Sequence, residues 1–107
     1  MELSKEQIIV KLERLINQAD PILATAHTYA RVPGTYVDEA MFNGWKADAL
    51  RFLQMLSILG EEDEYYMNFK KEVSSDRQTN VKIGVEILKR VKDDIENGIF
   101  LIPISWN

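Results

Sequence analysis

The sequence predicts an all-α fold: a small antiparallel bundle of about four helices, over approximately residues 5–19, 38–59, 63–73 and 80–97, with a long 20–37 connection and an extended apolar C-terminal tail. Three observations carry this. Apolar residues recur at i, i+3, i+4 and i+7 in four separated stretches, residues suited to helix starts and stops bracket them, and the links after residue 38 are short, as antiparallel neighbours require. A chain of 107 residues, 46% hydrophobic and 28% charged, suits one core, so residues 1–107 read as a single helical domain.

The first helix opens at Ser4-Lys5-Glu6-Gln7, a capping box whose two end side chains satisfy orphan backbone donors. Ile8, Ile9, Leu12, Leu15, Ile16 and Ala19 share one side of it. Asp20-Pro21 is expected to end it, because the residue before proline is pushed out of the helical region. From Pro21 to Val37 neither helical nor strand period is clean, so the segment reads as irregular with at most one helical turn. Pro33-Gly34 there suits the middle of a type II turn. A connection of this length in so small a domain points to function or to a short helix.

Asp38-Glu39 opens the second and longest stripe, with acids where the helix dipole favours them, and Phe42, Trp45, Ala49, Phe52, Leu53, Leu56 and Leu59 follow. Gly60 closes it. Gly44 inside the stripe costs about 1 kcal/mol relative to alanine, which implies either a start near Asn43 or the approach of another backbone. The third helix presents Tyr65, Tyr66, Phe69 and Val73, and a polar 74–79 link leads to a fourth, capped by Thr79 or Asn80. Val81, Gly84, Val85, Leu88, Val91 and Ile95 form its stripe until Asn97-Gly98 stops it, and a glycine on the buried side implies close helix packing. Ile99 to Ile104, with Trp106, read as an extended tail in which Pro103 argues against a central strand.

Function classes narrow quickly. The absence of cysteine excludes a disulfide framework, a thiol nucleophile and cysteine-based metal sites. A single histidine, His27, cannot supply the paired ligands of a zinc hydrolase or a di-iron bundle, and it reads as an exposed or hydrogen-bonded loop side chain rather than a catalytic base. The five glycines are too scattered for a phosphate cradle. Glu61-Glu62-Asp63-Glu64 lacks calcium-loop spacing and reads as solvated acids at a helix start, while Asp93, Asp94 and Glu96 sit where the dipole opposes them, which reads as neutral drift ahead of partner contact. With 13 basic against 17 acidic residues, interspersed in both halves, the net charge of −4 disfavours nucleic acid, including an adaptor role for Lys82, Lys89, Arg90 and Lys92. Neither a signal sequence nor a membrane span is apparent. The expectation is a cytoplasmic protein that is not an enzyme and uses no cofactor or metal.

Association remains. Tyr29, Tyr36 and Trp106 are the aromatics least explained by a helical core, while Leu50 and Ile58, like Val10 and Ile83, fall off the core arcs of their helices. Each large side chain of the tail left in water forgoes about 1.5–3 kcal/mol, so the tail should dock on its own domain, a twin subunit or a partner. Tyr29, Tyr36, Leu50, Ile58, Phe100, Ile102 and Trp106 are therefore the candidate partner-binding residues for a protein partner or a homo-oligomer. The alternative is a small-ligand or nucleotide-binding pocket formed by the 21–37 loop over the bundle, with His27, Tyr29, Arg31 and Tyr36 as its lining.

Trp45-x-x-Asp48-x-x-x-Phe52-Leu53, Leu59-Gly60-Glu61, Tyr65-x-x-x-Phe69, Gly84-x-x-x-Leu88 and Asp93-Asp94-Ile95-x-Asn97-Gly98 together resemble a small helical module of uncharacterised bacterial and phage proteins. That module often precedes another domain in chains associated with phage defence. The resemblance covers about residues 38 to 100, rests on packing and turn residues, and brings no catalytic residue with it. It implies an adaptor or interaction role.

Overall fold

A computed structural model describes residues 4–56 and 64–98. Among them, in chain order, are α1 (Lys5–Leu23), β1 (His27–Tyr29), β2 (Val32–Tyr36), α2 (Glu39–Leu56), α3 (Glu64–Glu72) and α4 (Gln78–Glu96). The chain is thus mostly helical, with one small antiparallel sheet in the segment read as irregular. Ile58, Phe100, Ile102 and Trp106, the rest of the tail, and the Gly60 stop lie outside the described residues.

α1 starts at the capping box. The Gln7 amide donates to Ser4 Oγ at 3.1 Å, and the Ser4 amide donates to Gln7 Oε1 at 2.9 Å. The helix does not stop at Asp20 as the proline suggests; it runs through Pro21 to Leu23. An interior proline costs about 3 kcal/mol, but here it occupies the last turn, and the following Ile22 is buried in the core. That burial contributes about 1.5–3 kcal/mol, and the Ala24 and Thr25 amides close the end on Asp20 O and Ile22 O. Tertiary packing outweighs the local signal.

α2 is capped by Asp38, whose carboxylate accepts from the Met41 amide at 2.9 Å. The helix begins before Gly44, so a start near Asn43 does not hold, and among the described residues no other backbone approaches that glycine. α4 begins earlier than its candidate caps Thr79 and Asn80 imply. Arg77 occupies the cap position in an extended conformation without a side-chain cap bond, because Tyr36 pairs with it in an isolated bridge and the Val37 amide donates to Asp76 O at 2.9 Å. Asn80 instead donates to the Ser75 carbonyl and hydroxyl, tying down the link before the helix. Gly98, at φ 71°, ends α4 as Asn97-Gly98 suggested.

α1 packs against α2 and α4, and α3 against the same two helices. Lys5 Nζ donates to Glu96 O at 3.3 Å, joining the start of α1 to the end of α4, so these two helices run antiparallel. The core between them holds Ile8, Leu12, Phe42, Trp45, Leu53, Phe69, Val81 and Leu88 among others, with no polar or charged side chain buried among the described residues. The Trp45 indole N–H donates to the Leu15 carbonyl at 2.8 Å, a polar contact that pins α2 to α1 inside this apolar interior. Gly84 lies beneath Trp45, Phe69 and Val73, as close packing required.

Candidate functional site

The 24–38 segment is a clamped hairpin. The Thr25 hydroxyl donates to Ile22 O at 2.6 Å and accepts from the Asp38 amide at 2.7 Å, joining the end of α1 to the start of α2. Between these roots, His27 pairs with Tyr36, Thr28 with Thr35 and Tyr29 with Val32. The turn is therefore Ala30-Arg31, with Arg31 at φ 69°, and not Pro33-Gly34. Pro33 and Gly34 are the two residues skipped by the register, a bulge where a proline without an N–H and a glycine at φ 107° both fit.

Strand alternation places His27 and Tyr29 on one face, and Tyr36 joins them across the pair. His27 and Tyr29 meet edge-on with centroids 4.9 Å apart, and Tyr29 and Tyr36 lie 5.5 Å apart. The Arg77 guanidinium sits 5.4 Å over the Tyr36 ring. Gly34 makes room for it, since a Cβ there would stand 3.2 Å from an Arg77 guanidinium nitrogen. His27 Nδ1 is 2.9 Å from Thr25 O, which can only accept, so Nδ1 carries the proton and Nε2 accepts from the Tyr29 hydroxyl at 2.9 Å. Both ring nitrogens are engaged in orienting the cluster. The Thr25 hydroxyl is likewise committed to the clamp.

Of the residues proposed from sequence, the structure brings together His27, Tyr29 and Tyr36. Arg31 stands in the turn and makes no hydrogen bond, ion pair or ring contact among the described residues; Arg77, which sequence reading passed over, takes the place beside the rings. Its signal was indirect, since only the pairing with Tyr36 brings residue 77 to the hairpin. Tyr29 and Val32 are 53% and 48% exposed. Of the off-arc aliphatics, Val10 and Ile83 are exposed, whereas Leu50 is half-buried and packs against the core. Met41, Met55 and Met67 are exposed as well. Their positions off the buried stripes would have identified them.

A second feature is an open groove of about 1080 Å³ between α1, α3 and α4. Ile16, Ile83 and Ile87 supply its apolar lining, and charges of both signs surround them. Lys92 bridges it, 3.7 Å from Glu13 and 3.9 Å from Glu96, and the Tyr65 hydroxyl donates to the Asp94 carboxylate. None of His27, Tyr29, Arg31 and Tyr36 lines this groove. Among the described residues no cluster of acidic or histidine side chains is placed to hold a metal ion, and no helix is long and apolar enough to cross a membrane. Comparison with known protein families, with curated proteins and with solved structures finds no match for this chain.

Proposed function

We propose that the chain is a non-enzymatic protein–protein interaction module, an adaptor that presents its hairpin to a protein partner and is capable of self-association. The observation that supports this is the hairpin face, where exposed Tyr29 and Val32 stand beside Tyr36 and an Arg77 guanidinium that has no ion pair among the described residues. Tyrosine and arginine supply most interface hot spots. The ring contacts and the His27 bonds hold the side chains in one arrangement before any partner arrives, which lowers the entropy lost on binding. The four helices, taken as an antiparallel bundle, serve as the scaffold. This reading agrees with the resemblance of residues 38–100 to helical modules of bacterial and phage proteins.

The test compares wild type with a Tyr29→Ser/Val32→Ser variant as baits in extract of the native host. Both substitutions are at exposed positions, so the melting temperature should hold, while at least one host protein is recovered at least tenfold less. Equal recovery of every captured protein would remove the hairpin as the recognition surface.

The His27, Tyr29, Tyr36 and Arg77 arrangement also favours a second reading, a site for a small planar anion such as a nucleotide, because it offers ring faces and a cation together. A melting-temperature rise with a nucleotide or metabolite panel, abolished by Arg77→Ala, would carry that reading over the first.

A further inference from the structure

Helix α2 carries two stripes with the same 3-4-3-4 spacing, one residue out of step. Phe42, Trp45, Ala49, Phe52 and Leu56 are buried. Met41, Gly44, Asp48, Arg51 and Met55 are all exposed and fall within an arc of about 80° at 3.6 residues per turn. The spacing is that of a helix–helix seam. Among the described residues nothing covers this second seam: a Cβ at Gly44 would meet no atom within 4 Å, and Asp48 and Arg51 pair with each other, at 3.9 Å on the open surface.

We infer that this face of α2 pairs with α2 of a second copy of the chain, antiparallel, about a two-fold axis passing between Asp48 and Arg51. The charges select that register. A parallel pair, or an antiparallel pair centred on residue 48, sets Asp48 against Asp48. With the axis between the two residues, each Asp48 faces the Arg51 of the other copy, twice by symmetry. The same register sets Met55 opposite Gly44. A flexible thioether then lies over bare backbone, and the absent Cβ allows the two helices to approach closely. Gly44, unexplained by any neighbour among the described residues, has a role in this arrangement. The inference rests on the reading of the chain as an interaction module but uses a different face from the hairpin, so either can fail alone.

Light scattering and sedimentation across micromolar to millimolar concentration provide the test. Wild type should show a concentration-dependent dimer. Asp48→Arg and Arg51→Asp should each weaken it at least tenfold, because each sets like charges face to face. An equimolar mixture of the two variants should recover the dimer, since every facing pair across the mixed interface is then one arginine and one aspartate. Gly44→Leu should abolish the dimer while the melting temperature of the monomer holds or rises. A wild-type chain monomeric to millimolar concentration, or a dimer indifferent to all three substitutions, would overturn the proposal. The hairpin double variant should leave the dimer intact, which separates this failure from failure of the hairpin reading.

Discussion

Gly84→Ala is expected to destabilise the protein by up to about 2 kcal/mol net, although alanine is the better helix former. Propensity alone would favour the substitution by about 1 kcal/mol. The added methyl, however, would stand 2.7 Å from Trp45 Cη2, 3.0 Å from Val73 Cγ2 and 3.1 Å from Phe69 Cε2. All three side chains are buried, and the Trp45 and Phe69 rings already lean on each other with centroids 5.7 Å apart. The cost is that of overpacking, about 1–3 kcal/mol and occasionally more. At a domain of this size each kcal/mol lowers the melting temperature by about 4–8 °C. Gly44→Ala is the internal control: the same chemical change at an open site should hold or raise stability. If thermal or urea melts ranked the two variants the other way, the packing of α4 against α2 and α3 would be wrong.

Trp45→Ala should cost about 3–5 kcal/mol. Trp45 is almost wholly buried, covers Gly84, contacts Phe69 and bonds to Leu15 O. Trp45→Phe separates these contributions. It keeps an aromatic ring in the core but deletes the indole N–H, and the Leu15 carbonyl, placed within α1, still has its helical partner. The hydrogen bond itself should then account for only about 0.5–1.5 kcal/mol. Urea melts of the three proteins give the partition, and a Phe variant as unstable as the Ala variant would show that the bond, not the ring, holds α1 to α2.

What was legible in the sequence was what a helix repeats. The stripes of α1, α2, α3 and α4 each recur several times, so one ambiguous residue does not erase the period, and the Ser4 capping box and Gly84 behave as their local chemistry requires. The hairpin was hidden because its causes are not repeated and not local. β1 has only three residues, its partner strand contains a proline and a glycine that mimic a turn, and its roots are held by one Thr25 hydroxyl between Ile22 and Asp38. Pro21 misled for a related reason: the residue that keeps the helix going is Ile22, through a core that no window of sequence displays. The candidate site divides along the same line. Tyr29 and Tyr36 stood out because no helical stripe claimed them, whereas Arg77 becomes visible only once Tyr36 is paired with it.

The Thr25 clamp has an evolutionary consequence. Because one hydroxyl ties the exit of α1 to the entry of α2, the stem of the hairpin is closed independently of what the strands carry between them. The exposed residues from Thr28 to Val32 can therefore drift or be exchanged as a cassette, with little demand on the helices beneath. A lineage could retarget such a protein by rewriting that short stretch alone, keeping the scaffold while the partner changes.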